Sequence, residues 1–251
     1  MVDAPSLVLV GGAALAAGIV NAIAGGGSLI TFPALVAIGL PAVTASVINT
    51  VAMCPGYFGA TVAQRRDLVG QRRRAIQVLP AAAAGGVAGA LLLLHTGEAA
   101  FTKVVPWLIL LAVALLAFQD RLRRWLLGRS SKPHGEIWAA LPVGLSAVYG
   151  GYFGAGMGVM VLAALAVVLD DSLIRVNALK QSVSLVVNVA AAIVFVVIAP
   201  IDWTVVIAMA VCALAGGSIG GAIASRVPAA VLKWTVVTVG LALAGVYFVK
   251  W

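Results

Sequence analysis

Asn177, Gln181, Ser184 and Asn188 recur at spacings of four, three and four along an otherwise apolar stretch, with Lys180 beside them. On a helix this is a polar stripe down one face. Lys180 lies nine residues beyond Asp171, about 13 Å along a helix axis. No Asp or Glu stands in the interior of any apolar segment to neutralise it. An ammonium buried that deeply in lipid costs several kcal/mol unless it snorkels, pairs or loses its proton. The chemistry this spacing offers is the holding of an anion. The competing reading is a lysine satisfied by the carbonyls of a broken helix. Arg175, nearer the segment end, reads as an interfacial anchor.

A second constellation is Ala24-Gly25-Gly26-Gly27-Ser28, which separates an apolar segment of helical length from a short one. A half-helix starting at Ser28 would point its free N–H groups and dipole into the turn, where an anion is favoured. Gly154, Gly156 and Gly158 could build the same feature later in the chain. Close helix packing is the alternative for any single glycine. No Gly-Lys-Ser/Thr follows the triple glycine and no strand precedes it, so a nucleotide loop is excluded.

The elements that carry these residues are set by composition. Of 251 residues, 63% are hydrophobic and 10% charged, and the mean hydropathy is +1.14, too apolar for a water-soluble globule. Lipid is the expected solvent, with apolar segments of roughly 20 residues recurring throughout. Breaks at glycine clusters, prolines and charges give segments 6–24, 28–40, 42–63, 75–95 and 101–118, then 136–153, 157–169, 172–199, 203–225 and 228–249. Residues 28–40 and 157–169 are about 20 Å long as helices and should be half-helices or re-entrant arms. The expected fold is all-α and polytopic, a single transmembrane domain over 1–251.

The two sets of five prompt a search for a repeat, and the shift that carries Gly25 onto Gly156 aligns them without a gap. Gly27 then falls on Gly158, and Ala84, Gly85, Gly86 and Gly89 fall on Ala215, Gly216, Gly217 and Gly220. Applied to the polar stripe, the shift gives Ser46, Asn49, Thr50, Met53 and Tyr57, an uncharged stripe that could line the same cavity. Loop 64–74 carries five arginines, whereas its mate near 199–203 reads Ala-Pro-Ile-Asp-Trp. The positive-inside rule therefore puts them on opposite sides. Repeat 1 (6–118) and repeat 2 (136–249) are expected to be inverted, joined by a basic cytoplasmic linker at 119–135, with both termini extracytoplasmic. Inverted repeats with broken helices are a recurring transporter design.

Other features exclude rather than assign. The +8 charge falls mainly in Arg65–Arg74 and Arg121–Lys132, as the positive-inside rule requires, so nucleic acid is not expected as a partner. Cys54 and Cys212 lie in apolar segments and read as packing residues. Gly85-x-x-x-Gly89 and Gly216-x-x-x-Gly220 read as helix-packing motifs. His95, His134, Glu98, Glu136 and Asp202 fall at segment ends, and no metal or other cofactor is expected. No basic region precedes the first apolar segment, which is expected to be retained.

The stretch AGGGSLITFPALVAIGLPAVTASVINT at 24–50, the run from Tyr57 to Leu68 entering the basic loop, and RVNALKQS at 175–182 resemble the sulfite exporter TauE/SafE family of membrane permeases. The resemblance covers nearly the whole chain and includes the later Ala-Gly-Gly motifs. It implies a multi-pass permease of a bacterial-type inner membrane, associated with export of sulfite, sulfoacetate and related sulfur-containing anions. The second half departs from the first at Met157, which replaces the middle glycine, and at Ala164, which stands where Pro33 stands.

The expected function is secondary transport of a small anion by alternating access around Gly25, Gly26, Gly27, Ser28, Asn49, Thr50, Gly156, Gly158, Asn177, Lys180 and Gln181. Lys180 would supply charge and the others geometry. A partner subunit that transports nothing is the alternative. An intramembrane enzyme ranks lower, because the segment interiors offer no His, Asp or Glu as a base and no catalytic residue is assigned.

Overall fold

The computed structural model describes residues 2–127, 136–169, 171–224, 226, 234, 236–238, 240, 241 and 245. Among them there is no strand. In a chain this apolar each backbone donor and acceptor must be satisfied within its own segment, and the helix does that. The elements are α1 (Ala4–Ile23), α2 (Ser28–Ala37), α3 (Ala42–Ala63), α4 (Arg72–Leu127), α5 (Ala140–Tyr152), α6 (Met157–Val168), α7 (Leu173–Ile198) and α8 (Trp203–Ile223). Four of them, α1, α4, α7 and α8, are long and apolar enough to cross a bilayer. The chain is an all-helical, polytopic membrane protein.

Two boundaries differ from those read in the sequence. Segments 75–95 and 101–118 are the arms of α4, interrupted only at Gly97, whose φ of 71° and ψ of 163° are open to glycine and little else. The second arm runs on to Leu127, so the first part of the expected linker is helix, while 128–135 lie outside the described residues. The expected segment 228–249 is described only at the positions given above from 234 to 245, which are helical. His134 also lies outside the described residues.

The two short segments stay short. α2 has 10 residues and α6 has 12, about 15 and 18 Å of rise, half of a hydrocarbon core. α3 begins at the Gly97 break, where the Glu98 carboxylate accepts the N–H groups of Ala42 and Val43, the latter at 3.0 Å. It ends at the arginine loop. α7 begins at that loop, where Gln71 Nε2 donates to the Arg175 oxygen at 2.9 Å, and runs 26 residues away from it. Loops 64–71 and 199–202 are therefore at opposite ends of α7, and α3 and α7 run in opposite directions. Arg175 sits at the loop end. It and Arg74 both bind the Asp171 carboxylate.

Small residues decide which helices touch. A Cβ on Gly216 or Gly220 would strike the α1 backbone at Leu15 or Ile19, and one on Gly85 or Gly89 would strike α5 at Gly144 or Val148. Both Gly-x-x-x-Gly motifs are thus packing surfaces. Gly86 lies against the backbone of Val187, and Gly217 against that of Gly56. The repeat shift carries Gly86 onto Gly217 and Gly56 onto Val187, so the second contact is the first with its partners exchanged. It also carries Ala42 and Arg72, which open α3 and α4, onto Leu173 and Trp203, which open α7 and α8. Cys54 and Cys212 are free and half-buried.

Candidate functional site

The glycine breaks at the ends of α1 and α5 meet in the interior. Gly25 and Gly156, one repeat length apart, share a left-handed backbone, with φ of 80° and 78°. A Cβ built on Gly25 would lie 3.3 Å from the Gly158 carbonyl carbon, and one on Gly158 would lie 3.3 Å from the Gly25 Cα. Only glycine permits two chains to cross so closely. α2 starts at Ser28, as expected, and its opening turn is held from behind: the Gly27 N–H donates to Asn21 Oδ1 at 2.6 Å. The N–H groups of Leu29 and Ile30 bond Gly26 and Gly27 oxygens at 3.0 and 2.8 Å.

Beside this crossing lies the charged part of the α7 stripe. Lys180 is 1% exposed, and its methylenes pass Gly158. Its Nζ donates to the main-chain oxygen of Asn21 at 3.2 Å. Gln181 Nε2 donates to the oxygens of Asn21 and Ala22 at 3.0 and 2.8 Å, and Asn177 Nδ2 to Ala22 oxygen at 3.3 Å and Gln64 Oε1 at 2.8 Å. The carbonyls left open where α1 breaks off are therefore capped by three side chains of another helix. Among the described residues no carboxylate lies within ion-pair distance of Lys180. The Asn21 carbonyl accepts from the ammonium but leaves its charge uncancelled.

The remaining expected residues form a second group. Asn49 and Thr50 are 2% and 3% exposed on α3, and the Thr31 hydroxyl of α2 donates to Asn49 Oδ1. Asn49 is thus tied to its own half of the chain rather than to Lys180. A cavity of about 460 Å³ opens at the arginine-loop end, lined by Gln64, Arg66, Asp67, Gln119, Asn177 and mainly small or apolar residues including Ala24, Val159 and Ala163. Of the eleven expected residues Asn177 lines it. Gly25, Gly26, Gly27, Ser28, Asn49, Thr50, Gly156, Gly158, Lys180 and Gln181 are buried. Asn177 and Gln64 line the cavity and bond each other, and Lys180 follows three residues further along α7.

Three contributors were missed in the sequence. Asn21 is the one amide in segment 6–24, Thr31 is one of two hydroxyls opening the short segment, and Gln64 reads as the first loop residue after segment 42–63. Each was legible as a polar residue out of place. Just before α7, burial alone would raise the Asp171 pKa, but hydrogen bonds from Arg175, Arg74 and the Ser172 N–H outweigh it and hold the carboxyl below the usual range. No metal-binding group of His, Cys, Asp or Glu occurs among the described residues.

No curated protein and no solved structure matches the chain. The family model described as sulfite exporter TauE/SafE matches residues 10–247. That span takes in both glycine breaks, both polar stripes and the arginine loop, and the chain belongs to the sulfite exporter TauE/SafE family.

Proposed function

We propose that this protein is a secondary transporter that exports a small anion, such as sulfite or an organosulfonate, by alternating access between two inverted halves. The single observation that carries the reading is Lys180: an ammonium buried at the crossing of two glycine breaks, bonded to one neutral main-chain carbonyl, with no carboxylate to cancel it among the described residues. In a low-dielectric interior such a charge favours a mobile anionic partner. Family membership supports the direction and the class of substrate.

The inverted arrangement, with repeat 1 at 6–118 and repeat 2 at 136–249, is supported by the opposed directions of α3 and α7 and by the exchanged Gly86–Val187 and Gly217–Gly56 contacts. Gly25, Gly156 and Gly158 let the breaks approach. Asn177, Lys180 and Gln181 receive the anion from the cavity, and Gly26, Gly27, Ser28, Asn49 and Thr50 shape the other side. The positive-inside rule makes the arginine-loop end cytoplasmic and both termini extracytoplasmic. The cavity is then the port of entry for an exported anion.

The test is flux of sulfite and small alkylsulfonates from proteoliposomes. Lys180→Met is expected to abolish flux while the protein still inserts and folds, and Lys180→Arg to restore part of it. Flux by Lys180→Met equal to that of the unaltered protein would remove Lys180 from the site.

A further inference from the structure

The open cavity has a counterpart at the other end of the molecule, and the counterpart is filled. Cavity residues Ala163, Asn177 and Gln64 map through the repeat shift onto Phe32, Ser46 and Phe195, which are 2%, 1% and 0% exposed. The plug is aromatic. The rings of Phe32 and Phe153 meet edge to face with centroids 5.3 Å apart, and Phe101 packs against Phe153 at 6.2 Å and Tyr152 at 5.5 Å. Phe101 follows the Gly97 break by four residues, which places the cluster at the end opposite the arginine loop. The mates of Phe32 and Phe153 are Ala163 and Ala22. The open end has Ala163 in its wall, and the other is shut where its mate Phe32 meets Phe153; Ala22, the mate of Phe153, is buried.

Buried polar side chains of α2 and α3 accompany the plug. Ser28, Thr31, Ser46, Asn49 and Thr50 are all at most 5% exposed, and Ser46 Oγ is buried without a hydrogen-bond partner. A buried hydroxyl left unsatisfied carries a desolvation cost. That cost has a purpose if the same hydroxyl meets water or an anion in another conformation, since its repeat mate Asn177 lines the open cavity.

We infer that the end opposite the arginine loop contains a second anion vestibule, closed by the Phe32–Phe153 contact, in which Ser46 and Thr31 supply neutral donors once the two rings part. The inference rests on the transport reading above and on the relation between the halves. Parting Phe32 from Phe153 moves α2 away from the end of α5. The related movement at the other end brings α6 toward the end of α1 and closes the cavity, so the two vestibules exchange roles.

The test uses the full chain in sealed vesicles, with Cys54→Ala and Cys212→Ala as the background, and a membrane-impermeant maleimide as the probe. Ser46→Cys, a change of one atom, is expected to be labelled from the face opposite the arginine loop. A minor conformer populated at about 0.1–10% makes that labelling about 10- to 1000-fold slower than labelling of Ala163→Cys from the loop face. Phe32→Ala in the same protein is expected to accelerate it. Joining Phe32→Cys to Phe153→Cys with a short reducible bifunctional reagent is expected to stop both flux and the labelling of Ser46→Cys, with both returning on reduction. Labelling of Ser46→Cys from the loop face alone or from neither face, or undiminished flux through the joined protein, would overturn the second vestibule. Anion flux by the background protein separates the two readings. Flux together with a closed Ser46→Cys overturns the vestibule alone, whereas far-face labelling without flux of any tested anion overturns transport and leaves the vestibule standing.

Discussion

Lys180 Nζ and the main-chain oxygen of Asn21 are 3.2 Å apart, which ties the deepest cation of α7 to the open carbonyl end of α1. A helix C-terminus carries partial negative charge and favours a cation there. The same residue reaches forward, because Asn21 Oδ1 accepts the Gly27 N–H that opens α2. Asn21 therefore joins the lysine, the glycine break and the half-helix, while its own Nδ2 is buried without a partner.

Asn21→Asp should keep the bond to Gly27 and place a fixed carboxylate near Lys180. A resident anion competes with a mobile one, so the affinity for sulfite or an alkylsulfonate is expected to fall by tenfold or more, corresponding to about 1.4 kcal/mol. Thermal stability without ligand is expected to hold or rise. Calorimetric titration of both proteins measures the first, and an unfolding scan the second.

Gly25→Ala should destabilise through both backbone and space. A left-handed alanine costs roughly 1–2 kcal/mol, and the new Cβ would press on the Gly158 backbone at 3.3 Å. Gly158→Ala has no left-handed angle to satisfy and meets Gly25 at the same distance, so its cost should be smaller. The expected order of melting temperatures in detergent is unaltered protein, Gly158→Ala, then Gly25→Ala.

The α3–α8 contact offers a stricter comparison. A Cβ on Gly217 would collide with the Gly56 carbonyl oxygen, whereas one on Gly12 meets nothing within 4 Å. Gly217→Ala must push two helices apart and is expected to lower the yield of folded protein, since overpacking costs about 1–3 kcal/mol or more. Gly12→Ala is expected to be neutral. Size-exclusion profiles of the two variants would check the contrast.

Asp171 fixes a pH dependence. Its folded pKa lies below its unfolded value, near 3.9, so the stabilisation it gives is fully present above that value and is lost as pH falls through the folded pKa. Between neutral pH and pH 5 its contribution should be flat. Asp171→Asn is expected to be less stable at neutral pH and to lose less on acidification below about pH 4. Melting temperatures of both proteins across that range test the sign.

Much of this arrangement was legible in residue order, for physical reasons. Lipid leaves the backbone few options, so glycines and charges marked the breaks, and Gly25 and Gly156 turned out to share one backbone angle. Lys180 stood out because an ammonium between apolar residues needs an explanation. Its partner did not stand out, because it is a main-chain carbonyl and every residue carries one. The partner of Asn49 was hidden for a related reason: the stripe gives a helix face but not the neighbour it faces, and α2 supplied Thr31 as that neighbour. Glu98 looked like an ordinary residue at a segment end, since its role as the cap of α3 depends on two segment ends 55 residues apart meeting in space.

The most direct measurement of the central claim is anion-induced stabilisation of the purified protein with and without the Lys180 charge. A ligand at about 100 times its Kd adds about 2.7 kcal/mol to folding stability, which is well resolved in a thermal scan. Sulfite or a small alkylsulfonate is expected to raise the melting temperature of the unaltered protein, to raise that of Lys180→Arg less, and to leave Lys180→Met unmoved. Equal stabilisation of the unaltered protein and Lys180→Met would contradict the assignment of Lys180 as the cation that holds the anion.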